Sequence, residues 1–119
     1  IRLGVRDANA HRRFYAVALG LPDVPEEGGD SFLCGDSVIL VEKADGIVPD
    51  PALEGSGFRY ITVQIRNVDE EHNAILARGG REGRAPQTLG KVARISVVRD
   101  PDGNWIEMSQ RASLVGALD

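Results

Sequence analysis

The two halves of the chain carry the same pattern of apolar residues, and this duplication limits the folds that the chain can adopt. A shift by 60 positions places the alternating apolar segment 1–5 on the segment 61–65. Strict alternation of apolar and polar residues is typical of a half-buried strand. One half would leave a sheet face uncovered, so the duplication predicts two halves packed side by side in one domain.

The first half predicts a strand, a helix and a hairpin. Asp7 is a candidate N-cap for a helix over residues 8–19, which a glycine and a proline then end. Short apolar runs over 31–34 and 37–41 flank a Gly-Asp pair and predict a hairpin. The stretch 44–56 is rich in Gly and Pro, which predicts a linker between the halves.

The second half repeats the order with one more strand. Its predicted elements are a strand, a helix, a weak strand and a hairpin, over residues 60–65, 67–78, 81–85, 92–99 and 104–110. Either Asn67 or Asp69 caps the helix. The domain 1–119 is therefore divided into a first module over about 1–43, the linker 44–56 and a second module over about 57–110. A tail over 111–119 follows and could cross to a partner.

The final hairpin contains the most specific local signal. Between its two strands, Pro101 has the φ of a tight turn, Asp100 can bind the turn backbone and Gly103 can adopt φ > 0. Glu107 follows as a carboxylate inside an otherwise apolar strand. It faces either solvent or a cavity that requires a charge.

Composition excludes several classes of protein. At 27% charged and 42% hydrophobic residues, the chain has the composition of a soluble globular domain, without an apolar run long enough to span a bilayer. A net charge of −4 argues against nucleic-acid binding. One cysteine, Cys34, excludes an internal disulfide and fits the reducing cytoplasm, where we expect the protein to reside.

Three motifs together resemble a known superfamily. They are Arg13-Phe14-Tyr15, Leu19-Gly20-Leu21 and Asp100-Pro101-Asp102-Gly103-Asn104-Trp105-Ile106-Glu107. The chain resembles the vicinal oxygen chelate superfamily, which includes glyoxalase I, bleomycin-resistance proteins, fosfomycin-resistance proteins and type I extradiol dioxygenases. The resemblance implies an α+β fold in which two βαβββ modules pair side by side. Their mixed sheets would curl around a pocket, with the helices on the outer face, and many members are homodimers.

The resemblance also implies where metal ligands would lie in metal-dependent members. Glu107 matches the ligand position on the last strand, and we expect its first-half counterpart to be Ile39, which cannot bind metal. Tyr60 occupies a position where His or Gln is usual, and the remaining position falls before Ile1. We therefore expect no metal cofactor, with a divalent Zn, Ni, Mn or Fe ion bound by Glu107 as the alternative.

Strand alternation predicts which side chains face the trough on the sheet side away from the helices. The candidate ligand-binding residues are Arg2, Gly4, Ile39, Tyr60, Thr62, Gln64, Arg94, Ser96, Trp105 and Glu107. None is His or Cys, although a transition-metal site usually needs about three protein ligands. Glu107 is thus interpreted as a pocket carboxylate rather than a metal ligand.

The other candidate residues have structural explanations as well as functional ones. Tyr60 and Trp105 either pack in the core or form a floor for a planar ligand, and both alternatives stay open. Arg94, like Arg2, hints at an anionic or carbonyl-bearing ligand. His11 and His72 fall on helices behind the sheets, where a structural role is expected.

These observations favour a metal-free small-molecule-binding protein of the glyoxalase/bleomycin resistance/dioxygenase type. It would hold an aromatic or polycyclic ligand, an antibiotic or a metabolite, and act as a homodimer in antibiotic resistance or a similar role. The alternative is a divalent-metal enzyme, either a glyoxalase-like lyase or an extradiol-dioxygenase-like oxidoreductase, with Glu107 as one ligand. A third hypothesis is a non-catalytic module of a longer protein. No nucleic-acid or membrane partner is expected.

Overall fold

A computed structural model describes residues 1–27, 29–51 and 60–118. The strands are β1 (Arg2–Val5), β2 (Asp30–Cys34), β3 (Ser37–Lys43), β4 (Tyr60–Gln64), β5 (Arg81–Leu89), β6 (Ala93–Arg99) and β7 (Trp105–Arg111). Helix α1 (Ala8–Arg13) continues directly as a π-helical segment (Phe14–Ala18). A 3-10 turn (Pro25–Glu27) and the helices α2 (Val68–Ala77) and α3 (Ala112–Val115) follow later in the chain. No helix of the described residues is long and apolar enough to cross a membrane. Part of the predicted linker, 52–56, lies outside the described residues.

The strands form two sheets, one for each half of the chain. Strand order is β1-β3-β2 in the first sheet and β4-β7-β6-β5 in the second. The opening strand of each half runs parallel to the last strand of that half, and the hairpins are antiparallel. The predicted α+β architecture is therefore confirmed, and both halves share this strand arrangement.

The two halves differ at the outer edge of their sheets. The second half has the full βαβββ order, whereas the first half has β2 and β3 after its helix. At the position in the first sheet that corresponds to β5, the described residues form an isolated bridge between Asp23 and Phe32. Pro22 and Pro25 flank this bridge, and a proline cannot donate to a ladder, which explains why it does not lengthen into a strand.

One apolar core joins the two halves between the helices and the sheets. Its largest buried side chains include Tyr15, Phe32, Ile39, Ile75, Ile106 and Met108. They come from α2, from the π-helical segment after α1 and from both sheets, so neither half has a separate core. The opposite faces of the sheets carry the exposed side chains of Arg2, Tyr60 and Thr62.

Both long helices begin at an N-cap suggested by the sequence. The Asp7 carboxylate accepts from the Ala10 amide at 3.0 Å, and the Asn67 side chain accepts from the Glu70 amide at 3.1 Å. Asn67, rather than Asp69, is therefore the cap of α2. Asp69 instead lies in the first turn of α2.

The first predicted helix changes type halfway along its length. Beyond Arg13 it widens, and the Leu19 amide donates to the Phe14 carbonyl at 2.8 Å, the spacing of a π-helix. The wider turn leaves Val17 57% exposed, although a 3.6-residue period continued from Ala10 and Phe14 would place it on the buried face. Gly20 then ends the segment with φ +74°.

The second hairpin forms where the Asp-Pro-Asp-Gly-Asn motif predicted it. Arg99 pairs with Trp105 across the five residues of the turn. The Asp100 carboxylate accepts from the amides of Asp102 and Asn104, and Gly103 adopts φ +81°. This turn sets the register of β7 and so the direction of Glu107.

Candidate ligand-binding site

The open face of the second sheet carries the Glu107 carboxylate. In the parallel pairing of β4 with β7, Tyr60 lies beside Trp105, and Thr62 lies beside Glu107. Side chains of paired residues point to the same side of a sheet. Tyr60 and Thr62 are exposed, whereas the alternate residues of β4 pack against the core, so this face is the trough.

The prediction of which β6 side chains face the trough was wrong by one residue, because Arg94 and Ser96 face the helices. Arg94 pairs with Asp69 of α2 through two contacts of 2.8 and 2.9 Å. Ser96 is buried, and its hydroxyl lies 2.8 Å from Nδ1 of His72. Because Arg99 pairs with Trp105, the odd-numbered residues of β6 share the face of Glu107. The trough therefore receives Ile95, Val97 and Arg99 instead.

Ile39 faces the core rather than the trough beside Glu107, although it lines another cavity of about 380 Å³ with Thr62 and Gln64. Ile39 is 2% exposed and lies in the helix-facing core beside its partner Phe32. Leu40 pairs with Arg2 as Glu107 pairs with Thr62, so Leu40 is the structural counterpart of Glu107. The two turns differ in length, with two residues between Cys34 and Ser37 and five between Arg99 and Trp105, so equal spacing from the turn glycines leads to Ile39 rather than to Leu40.

Arg2 and Gly4 lie on the open face of the first sheet, apart from Glu107. The exposed Arg2 guanidinium is 3.5 Å from the Glu42 carboxylate. A Cβ on Gly4 would lie 3.0 Å from the Cβ of Ala44, so this glycine lets the linker cross the sheet closely. Both residues line a cavity of about 360 Å³ with Ile47 and its neighbours, separate from the cavities at Glu107.

Two adjoining cavities share Glu107, Tyr60 and Ile95 in the second half. One measures about 120 Å³ and the other about 430 Å³. Gln64 lines the larger cavity and Trp105 the smaller. The Glu107 carboxylate is half-buried and accepts from the Thr62 hydroxyl at 3.3 Å. It forms no ion pair with another described residue, so it is available to a ligand.

Trp105 is held rigidly at the edge of the smaller cavity. Its indole N–H donates to the Pro51 carbonyl at 2.8 Å, and the Arg99 guanidinium lies 4.3 Å from the ring centroid. A Cβ on Gly83 would lie 3.1 Å from Cζ3 of the indole, so the missing side chain makes room for the ring. Trp105 therefore both packs against the fold and walls the cavity.

Arg84 belongs to this site, and the sequence analysis missed it. It pairs with Val97 on the trough face and lines the smaller cavity together with Glu107. The predicted weak strand ended at Ala85, whereas β5 reaches Leu89. Gly83 was the available signal, because a glycine inside a strand pattern often marks a bulge that redirects its neighbour.

A buried polar cluster supports the strand of Glu107 from behind. The Tyr15 hydroxyl donates to Asp100 at 2.9 Å, and Arg6 pairs with Asp102 at 2.7 Å. His11 is fully buried between the two aspartates. Burial raises the pKa of Asp100, but the nearby His11 imidazole and the hydrogen bonds from Asn104 outweigh burial and leave this pKa below its usual value. The cluster ties the first helix to the turn before β7.

His72 also lies behind the sheet. Its two ring nitrogens are 2.8 Å from the Ser96 hydroxyl and 2.7 Å from the Glu82 carboxylate. The imidazole is buried and joins α2 to β5 and β6. Both histidines therefore lie outside the trough.

The donor set that the described residues place at the trough does not fit a metal ion. Glu107 lies beside Thr62, and its counterpart in the first sheet is the apolar Leu40. Across the three described ranges, no group of three or more His, Cys, Asp or Glu side chains is arranged to hold a metal. Zn²⁺ sites commonly use at least three such ligands.

Comparisons with known proteins agree with this architecture. The model of the Glyoxalase/Bleomycin resistance protein/Dioxygenase superfamily matches residues 1–108. A probable chloroplastic lactoylglutathione lyase from Arabidopsis thaliana is 27% identical over 117 residues, covering 90% of this chain and 33% of that protein. A putative lactoylglutathione lyase from Brassica oleracea var. gemmifera is 29% identical over 117 residues, covering 90% and 42%. The chain thus spans less than half the length of these curated relatives.

A solved structure shares the fold. The glyoxalase/dioxygenase from Nostoc punctiforme superposes with a TM-score of 0.75 at 23% identity, covering 93% of this chain and 88% of that chain. At this identity the likeness concerns the fold alone. Together with the family match over most of its length, the paired modules and their open sheet faces lead to one conclusion: the chain belongs to the glyoxalase/bleomycin resistance protein/dioxygenase superfamily.

Proposed function

We propose that this chain binds an aromatic or polycyclic small molecule, an antibiotic or a metabolite, in the trough beside Glu107 without a protein-bound metal ion. The observation that carries the proposal is the apolar Leu40, which occupies the position in the first sheet that corresponds to Glu107 in the second. A lone carboxylate in a partly apolar cavity orients a ligand but does not hold a metal on its own.

The surroundings of Glu107 support a planar ligand. Trp105 and Tyr60 place aromatic rings at the smaller cavity, and Ile95 and Val97 supply its apolar lining. The ring of Trp105 is already fixed by Pro51 and Arg99, so ordering it costs little when a ligand binds. Most of the affinity would come from burying the apolar surface of the ligand, and Glu107 would fix the orientation of the ligand.

The first test is the metal content of protein purified without chelator. We expect no stoichiometric Zn, Ni, Mn or Fe in the wild type, measured by elemental mass spectrometry with Glu107→Ala for comparison. A stoichiometric metal that disappears in Glu107→Ala would overturn the proposal. It would mean that a second copy or a segment outside this chain completes the site.

The second test is a thermal-shift screen against planar antibiotics and aromatic metabolites. Tyr60→Ala is the informative variant, because Tyr60 is 47% exposed and makes no hydrogen bond with another described residue. A hit that stabilises the wild type should lose most of its effect in Tyr60→Ala, while the unliganded melting temperature stays close to that of the wild type. Equal stabilisation of both proteins would place the ligand outside the trough.

A divalent-metal lyase is the second candidate function, and the names of the curated relatives favour it. Such an enzyme would use Glu107 as one ligand and obtain the others from outside the described residues, for example from the partner in a homodimer. The metal measurement distinguishes the two candidates. Size-exclusion chromatography with light scattering tests the expected homodimer.

A further inference from the structure

We propose that the trough selects a ligand with two unlike ends, an acidic group bound by Arg84 and a basic group bound by Glu107, on either side of one aromatic ring. This inference rests on the proposed function, because it concerns the same cavity. It adds the chemical class of the ligand and assigns Arg84 as a specificity-determining residue.

The local backbone directs Arg84 into the trough. Regular pairing of β5 with β6 is interrupted between Glu82 and Arg84 and again between Arg84 and Gln87. Before the first interruption, Glu82 faces α2 and contacts His72; after it, Arg84 pairs with Val97 on the opposite face. Bulges of this kind commonly redirect a side chain beside a binding site.

Two arginines of this sheet lack a protein partner among the described residues: Arg84, and Arg111 at the end of β7, which lines the larger cavity. Arg94 pairs with Asp69, and Arg81 pairs with Asp50. Arg99 donates to the carbonyls of Gly103 and Pro51. Within the described part of the chain, Arg84 forms no ion pair or hydrogen bond, and its one recorded contact is with the Trp105 ring at 6.0 Å.

The cavity between Arg84 and Glu107 therefore has one charge of each sign, and the two side chains do not form an ion pair. A guanidinium and a carboxylate that share a cavity without meeting leave both charges for a ligand to satisfy. A ligand with only one charged end would pair with one residue and leave the other without a partner. A ligand with both ends charged satisfies both.

The rest of the smaller cavity's lining is apolar or aromatic. Ile95 and Val97 line the cavity, and Trp105 and Tyr60 add aromatic rings. The smaller cavity measures about 120 Å³ and opens beside the larger one through shared residues, which leaves room for substituents on a single ring. These features favour an aromatic zwitterion over an aliphatic one.

A matched series of benzene derivatives tests the inference. The probes are 4-(aminomethyl)benzoate, which carries both charges at opposite ends of the ring, 4-methylbenzoate, which carries the acid alone, and 4-methylbenzylamine, which carries the amine alone. Calorimetric titration of the intact chain should give the zwitterion at least about tenfold higher affinity than either single-charge probe, as expected for one more charge-assisted hydrogen bond.

Two variants assign the ends of the ligand. Arg84→Gln should weaken binding of 4-methylbenzoate and of the zwitterion by about tenfold, and leave 4-methylbenzylamine unchanged. Glu107→Gln should weaken the amine and the zwitterion and leave 4-methylbenzoate unchanged. The matched controls Arg66→Gln and Glu70→Gln change exposed residues that line neither cavity, and should bind all three probes as the wild type does.

The possible failures are distinguishable. If the three probes bind equally well, and Tyr60→Ala weakens them all, the trough binds aromatic rings and the zwitterion inference is wrong. If no probe binds but planar polycyclic compounds stabilise the protein through Tyr60, the inference is again wrong and the proposed function stands. If neither kind of compound binds, both are overturned.

Discussion

Nε2 of His11 lies 3.6 Å from Oδ2 of Asp100, and both side chains are fully buried. Nδ1 of the same imidazole lies 2.8 Å from the Asp7 carbonyl, which can only accept, so Nδ1 carries a proton. Asp102 Oδ2 is also 3.6 Å from Nε2. A bare Nε2 would direct its lone pair at two carboxylates, whereas a second proton turns repulsion into attraction. The geometry therefore favours the imidazolium form.

The first prediction follows from the direction of the His11 pKa. Burial lowers this pKa, but the nearby Asp100 carboxylate, the hydrogen bond to the Asp7 carbonyl and the charge of Asp102 raise it above its usual 6.5. A raised pKa in the folded state stabilises the fold fully below 6.5, and this contribution is lost as pH rises through the folded pKa. Arg6 and the Tyr15 hydroxyl also face the cluster.

We therefore expect the free energy of unfolding of the wild type to exceed that of His11→Gln by about 3 kcal/mol at mildly acidic pH, because the variant leaves the buried Asp100 carboxylate without a cation. The difference should shrink as pH rises past the folded pKa of His11. The lowered pKa of Asp100 sets the other limit, since its contribution is lost as pH falls through that value. Denaturant titrations across this window check the prediction; a difference that grows with pH would contradict it.

The second prediction concerns the unequal roles of two turn aspartates. Asp100 accepts from the Tyr15 hydroxyl and from the backbone of the turn, whereas Asp36 lies exposed in the turn of the first half. Asp100→Ala should lower the free energy of unfolding by about 3 kcal/mol or more, because several buried donors lose their acceptor. Asp36→Ala should change it by less than about 0.5 kcal/mol. Equal effects in chemical denaturation would contradict the buried cluster.

A third prediction tests the corrected counterpart of Glu107. Leu40 lies partly exposed on the open face of the first sheet, whereas Ile39 is 2% exposed in the core. Leu40→Glu should fold with nearly wild-type stability, and Ile39→Glu should lose several kcal/mol because it buries an unpaired charge. Circular dichroism and thermal melts of the two variants compare neighbouring positions with the same substitution. If Ile39→Glu were more stable than Leu40→Glu, Ile39 and not Leu40 would face the trough.

The fourth prediction uses the single tryptophan as a reporter. A methyl group on Gly83 would come within 3.1 Å of the Trp105 ring and within 3.1 Å of Val97. Gly83→Ala should therefore displace the ring, cost about 1–3 kcal/mol in stability and shift the fluorescence maximum. Quenching by acrylamide should increase as the ring leaves its contact with Arg99. Unchanged fluorescence would mean that β5, not the ring, moves.

Much of the architecture was predictable from short patterns. Asp7 and Asn67 mark helix starts because their side chains bind the first free amides, and the Asp-Pro-Asp-Gly-Asn turn marks the hairpin because Gly103 alone accepts φ +81° without strain. The alternation in β1 and β4 correctly separated their two faces. In the site, this was sufficient to place Tyr60, Thr62, Trp105 and Glu107 together.

The remaining features depend on contacts between distant parts of the chain. Alternation along β6 divides its residues into two sets, but the pairing of Arg99 with Trp105 determines which set faces Glu107, and this moved Arg94 and Ser96 behind the sheet. Turn length likewise determined that Leu40, not Ile39, corresponds to Glu107. Local pattern establishes that a strand has two faces, because side chains alternate at every residue. The face that meets the ligand is set by register, which arises when the strands pair.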